Sequence, residues 1–101
     1  MNTVSDDFFN IIKKECGITW DDEDTKARLE EATSNGVAEF KDMFGKDINI
    51  EEYGLIRRIF IAYCKYYYYD QLEDFEKNYA SEIINARMNY EVMYYGKETE
   101  G

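Results

Sequence analysis

At 101 residues the chain fits one domain with a modest core, since folding at this length hides roughly 60–70% of the unfolded surface. Hydrophobic residues at 45% and aromatics at 17% exclude a disordered chain, although 34% of residues are charged. The net charge of −10, from 22 acids and 12 bases, excludes a protein that grips nucleic acid by neutralising phosphates, which needs clustered Lys and Arg.

With no proline, and with glycines falling mainly where helices would stop, the sequence predicts an all-α fold: a small bundle of about four helices, with a long central apolar helix and a long C-terminal one. Ser5 caps a first helix with Asp6 and Asp7 in its first turn and Phe8, Phe9, Ile12 and Cys16 on its apolar face. Gly17 ends it, with Ile18 as the hydrophobic residue beyond. Trp20 leads into the acidic cluster Asp21–Asp24, which opens a second helix. Its apolar face is Leu29, Ala32 or Thr33, Gly36, Val37, Phe40, Met43 and Phe44, and Gly45 stops it. Gly36 inside that helix costs about 1 kcal/mol relative to Ala, so another backbone is expected to pack closely there.

A third start is written at Asn49 as cap, with Glu52 closing a capping box and Ile48 stapled on Tyr53. From Ile50 to about Tyr69 the apolar residues cover most azimuths, the mark of a central, buried helix. The segment 70–78 is polar and acidic, and reads equally as kink, short loop or continuing helix. A fourth helix then carries Tyr79, Ile83, Ala86, Tyr90 and Met93 or Tyr94 as one narrow seam. Gly96 ends it, so residues 1–95 form one helical domain and 96–101 a short mobile tail.

The chemistry-bearing patterns are sparse. An EF-hand loop needs glycine and glutamate spacings that Asp21–Asp24 lacks, so the cluster serves the helix dipole. The chain has no histidine, which removes Ser-His and Cys-His nucleophiles and Glu-x-x-His di-metal sites. Gly45-Lys46 lacks the rest of a phosphate loop. No catalytic residue, metal ligand or cofactor is expected, and the chain reads as a non-enzyme. Cys16 and Cys64, on apolar faces without C-x-x-C spacing, read as buried free thiols of a reducing cytosol. The longest apolar run, Ile59 to Cys64, is far short of the roughly 20 residues a membrane helix needs. The segment Met1 to Asp7 lacks the basic flank of a signal peptide, so a soluble, intracellular product is expected.

The tyrosines carry the functional reading. Tyr66, Tyr67, Tyr68 and Tyr69 fan around most of a helix, and the expectation is that one small core cannot take all four and that some meet another chain. Arg57 and Arg58, beside the buried stretch, either snorkel to water or pair with carboxylates of a partner. Arg87 lies on the polar flank of the last helix, where a surface role is expected.

The phrase from Ile18 through Trp20 to Asp24 leads into a long helix. A nearly all-apolar helix ending in aromatics follows, then an acidic break and the closing phrase Phe75 to Ser81 running through Ile83 and Ile84 to Arg87. Over about Asp6 to Tyr95 this order resembles the head-to-tail connector proteins of long-tailed phages and prophages. The resemblance implies a virion neck subunit, assembled in the host cytoplasm into a homo-oligomeric ring, most often of twelve copies. Such a ring docks under the portal protein, extends the DNA channel, and offers a platform to the next head-completion, stopper or tail protein. DNA would pass through without sequence-specific binding, and no membrane is involved. By region, the resemblance places portal-side contact on Tyr79, Ile83, Arg87, Tyr90, Tyr94 and Tyr95, with the loop around 45–49 as a further contact. Intersubunit or partner contact falls to Tyr66–Tyr69, Arg57 and Arg58. The acidity suits a channel that repels phosphate. Two rivals are an acidic DNA mimic that binds a nuclease or repressor, and a plain helical homodimer seamed by the last helix.

Overall fold

A computed structural model describes residues 4–19, 22–52 and 54–100, and their side chains as far as Asn89. Four helices follow in order: α1 (Asp6–Glu15), α2 (Glu23–Phe44), α3 (Leu55–Tyr68) and α4 (Leu72–Glu100), with no strand among the described residues. The all-α expectation is met. α3 is central and packs against the other three.

α1 starts and stops as its sequence dictates. Ser5 Oγ accepts from the Phe8 amide at 3.2 Å. At the other end Gly17 adopts φ +75°, its amide bonds Lys14 O at 3.0 Å, the Ile18 amide bonds Lys13 O at 3.1 Å, and Ile18 is buried. This is the six-to-one and five-to-two pairing of a Schellman cap. Trp20 and Asp21 lie outside the described residues. In α2 the buried face is Leu29, Ala32, Thr33, Gly36, Phe40 and Phe44, with Val37 and Met43 half-buried, so both alternatives at 32 and 33 point inward. The close neighbour at Gly36 is not a backbone. A Cβ there would sit 2.8 Å from Phe60 Cε2 and 3.0 Å from Tyr63 Cδ1, so the glycine makes room for two aromatic rings of α3.

The third helix begins later than its sequence suggests. Asn49 caps no helix: its Oδ1 accepts the Glu51 amide at 3.2 Å in a tight local turn. Gly54, at φ +140° and ψ −165°, then breaks the chain in a conformation that only glycine adopts readily, and α3 starts at Leu55 rather than Ile50. The Glu52 box does not form, and the staple partner Tyr53 lies outside the described residues. Glu51 instead reaches α1, its carboxylate accepting the Ser5 amide at 3.1 Å and the Ser5 hydroxyl. That fastens the 45–54 segment to the N-terminal cap.

The open question at 70–78 resolves into a tight turn followed by helix. Asp70 takes φ +58°, the Gln71 amide bonds Tyr66 O at 2.7 Å, and the Asp70 amide bonds Tyr67 O at 3.1 Å, a second Schellman cap built on a non-glycine residue. Gln71 O then accepts the Asp74 and Phe75 amides and launches α4, with Glu73 and Asp74 in its first turn. α4 runs through Gly96 to Glu100 instead of ending there. Its inner seam is Phe75, Tyr79, Ile83 and Ala86.

A continuous path of rings ties all four helices together. Phe8 stacks on Phe60 at 5.8 Å, Phe60 meets Phe40 edge-on at 5.2 Å, Phe40 meets Tyr63 at 6.1 Å, and Tyr63 meets Phe75 edge-on at 5.4 Å. Each buried ring contributes about 1.5–3 kcal/mol from burial, and edge-on pairing adds about 0.5–1.5 kcal/mol.

Candidate interaction surface

The four tyrosines radiate from α3 as expected, yet each finds a partner in its own chain. Tyr66 packs against Phe75 and Tyr79 of α4, and its hydroxyl accepts from Asn78 Nδ2 at 3.2 Å. Tyr67 turns to α2, where its hydroxyl donates to Glu31 at 2.7 Å and accepts from Asn35 at 2.8 Å. The Glu31 bond is also the main cause that raises its pKa, ahead of burial. Tyr68 lies under the Arg28 guanidinium at 5.7 Å and meets Tyr69 edge-on at 5.0 Å. Tyr69 donates its hydroxyl to the Cys16 carbonyl at the end of α1.

A central helix is ringed by other elements, so residues pointing in four directions can all be served internally. Tyr66, Tyr67 and Tyr68 are half-buried, and only Tyr69, 46% exposed, keeps a large free surface.

The other sequence-selected residues separate similarly. Arg57 sits 5.3 Å over the Phe8 ring within its own chain, while Arg58 is exposed. Tyr79 and Ile83 are half-buried in the inner seam, packed on the core. Arg87 is exposed. The side chains of Tyr90, Tyr94 and Tyr95 lie outside the described residues. Of the 45–49 loop, residues 45 to 47 and 49 are exposed and Ile48 packs against the core.

The surface feature that sequence reading missed is on α4. Among the described residues the large apolar side chains left exposed are Ile11, Tyr69, Ile84 and Met88, the last two at 58% and 59%. At about 100° per residue, Ile84 and Met88 fall on the side of α4 opposite its inner seam, with Lys77, Ala80 and Ser81 on the same side, all exposed. The signal was the Ile83-Ile84 doublet: two neighbouring isoleucines cannot share one narrow face. α4 thus leaves two large apolar side chains outside its inner seam, on a side that also carries Glu73, Lys77 and Ser81.

Both thiols are free and buried. Burial pushes Cys16 up to about 11 and raises Cys64 further, and burial ahead of the nearby Glu39 carboxylate does the same to the Tyr63 phenol. An open cleft of about 470 Å³ beside Tyr67 holds Glu31, Asp70, Glu73 and Asp74 around Arg28. Arg28 is already engaged there, donating to Tyr68 O at 2.8 Å and pairing with Asp70 at 2.8 Å. Among the described residues no group of His, Cys, Asp and Glu is placed to hold a metal ion, and no helix is long and apolar enough to cross a membrane. No family model, curated protein or solved structure matches the chain.

Proposed function

We propose that the chain is a structural, non-enzymatic subunit of a phage head-to-tail connector, one copy of a ring that docks beneath the portal, lengthens the DNA channel and receives the next head-completion or tail protein. The observation that carries this reading is the outer face of α4. A helix of 29 residues is about 43 Å long, twice what the 14-residue α3 can cover, and its outer side leaves Ile84 and Met88 58% and 59% exposed. Exposed apolar stripes rimmed by polar residues mark contact surfaces.

The order of helices that resembles connector proteins supports the phage context, and the net charge of −10 suits a channel wall that does not retain phosphate. Virion location and portal docking follow from that reading. The same outer stripe also fits the simpler reading of a two-copy helical dimer. Mixing the chain with the portal protein of the same genome and measuring the mass of the product distinguishes them. A connector subunit co-migrates with the portal in multiple copies. A species of two copies, in solution and beside an unbound portal, refutes the connector and leaves the dimer.

A further inference from the structure

One dipeptide in the middle of α2 carries chemistry that the fold holds shut. Among the asparagines of the chain only Asn35 is followed by glycine. Asparagine is thermally labile, and an Asn-Gly pair is its most labile setting, because no side chain on the second residue hinders attack by that residue's backbone nitrogen. The structure uses both halves of the pair. Gly36 stands where a Cβ would lie 2.8 Å from Phe60 Cε2 and 3.0 Å from Tyr63 Cδ1, so the rings of α3 take the space a side chain would need. Asn35 is exposed, and its Nδ2 donates at 2.8 Å to the Tyr67 hydroxyl, which itself donates to Glu31 at 2.7 Å.

Deamidation of this pair needs only water. The Gly36 nitrogen gives its proton to solvent base and bonds to Asn35 Cγ, and Nδ2 leaves as ammonia, closing a cyclic imide. Water then opens either carbonyl of the imide, giving aspartate or, with the chain rerouted through the side chain, isoaspartate. An intact helix forbids the first step. Inside α2 the Gly36 amide pairs with the carbonyl of residue 32, and helical ψ at Asn35 keeps that nitrogen away from the side-chain carbonyl carbon. The bond to Tyr67 holds the leaving amide in place as well.

We infer that Asn35-Gly36 is a latent self-modification site, closed by the docking of α2 on α3 and opened only when the middle of α2 unfolds. The lesion runs one way. Aspartate at 35 replaces an amide donor by a second carboxylate beside Glu31, and the single phenolic proton of Tyr67 serves only one of them. Isoaspartate adds a backbone atom between residues 35 and 36. That shifts the helical phase of Gly36, Phe40 and Phe44 against Leu29 and Ala32, which share the buried face of α2. Each opening of α2 thus risks a chain that cannot close again, and the working life of the protein is tied to the contact between α2 and α3. None of this depends on the connector reading.

The test incubates the full chain in mildly alkaline buffer, folded and in guanidinium chloride, and follows the peptide that holds Asn35 by mass. The unfolded chain is expected to convert Asn35 before any other asparagine. The folded chain should convert it at least about a hundredfold more slowly, since opening the centre of a packed helix takes much of the global stability. Guanidinium below the unfolding midpoint should speed conversion in step with the open fraction. Tyr67→Phe, which keeps the ring and drops the hydroxyl, should speed conversion in the folded chain about fivefold, the worth of one hydrogen bond. Chain carrying isoaspartate, isolated after conversion, should melt below the wild type, as should Asn35→Asp. A folded chain that converts as fast as the unfolded one overturns the proposal, and so does a folded rate that ignores guanidinium below the midpoint. Isoaspartate chain that regains wild-type melting overturns the one-way closure.

Discussion

Gly36→Ala sets two physical effects against each other at one atom. Helix propensity favours alanine by about 1 kcal/mol at an interior helical position. Against this, the added methyl would lie 2.8 Å from Phe60 Cε2 and 3.0 and 3.1 Å from Tyr63 Cδ1 and Cε1. Both rings are fully buried and held by other rings, Phe60 by Phe8 and Phe40, Tyr63 by Phe40 and Phe75. Neither has room to yield without moving a helix. Overpacking of this kind costs about 1–3 kcal/mol, so steric strain outweighs propensity and the variant loses on the order of 1 kcal/mol. For a domain of this size that lowers the melting temperature by about 4–8 °C. Thermal unfolding followed by circular dichroism reads the shift, with Ser34→Ala, exposed on the same helix, as the control in which propensity acts alone and stability rises slightly. A Gly36→Ala protein that melts above the wild type would show that α2 and α3 are not this close.

Other expectations follow from the same structure. Asp70→Gly should melt at or slightly above the wild type, because glycine takes φ +58° without the cost of about 1–2 kcal/mol an L side chain meets there, and the exposed Arg28 pair it loses is worth about 0–1 kcal/mol. Asp70→Val should be destabilised by about 1–2 kcal/mol; equal melting of the two variants would disprove the left-handed turn. Ser5→Ala removes the α1 cap and the hydroxyl's bond to Glu51, leaving the backbone amide's bond in place, and should cost about 1–2 kcal/mol in urea unfolding, with Glu51→Gln milder. In alkali, Cys16, Cys64 and Tyr63 hold their protons to higher pH when folded than when unfolded. The unfolded chain therefore binds fewer protons, and the stability these groups contribute, complete below pH 9, is lost as pH rises through 9 to 11 and beyond. The slope approaches about 1.4 kcal/mol per pH unit for each group, and a flat urea midpoint from pH 8 to 11 would contradict their burial. Tyr67→Asp should lower the stability of the isolated chain, since it removes the bonds to Glu31 and Asn35 and the ring on Tyr63.

Local rules were legible where one residue decides the outcome. Ser5, Gly17 with Ile18, and Gly45 mark their helix ends by side-chain chemistry or by a missing Cβ, and the inward faces of α1 and α2 follow from helical period alone. The start of α3 was not legible, because Asn49 and Glu52 match a capping box as well as they match a loop. What decided it was Gly54 and the reach of Glu51 to Ser5, a contact 46 residues away in sequence. Asp70 was missed for a related reason: an aspartate in a left-handed cap leaves no signature to separate it from an acidic linker. For the tyrosine quartet, periodicity tells directions and not what stands in them: α1, α2 and α4 stand around α3 and half-bury Tyr66, Tyr67 and Tyr68, while Tyr69 stays exposed. The outer stripe of α4 was hidden by the stronger inner seam beside it.

The claim on which the functional account turns is that this chain works as one of many copies under a portal. Electron microscopy of the purified chain combined with the portal of the same genome tests it most directly. The account predicts an added ring of density on one face of the portal, with one copy of this fold repeated around the channel and α4 against its neighbour. A bare portal, with the chain remaining single in the background, would contradict it.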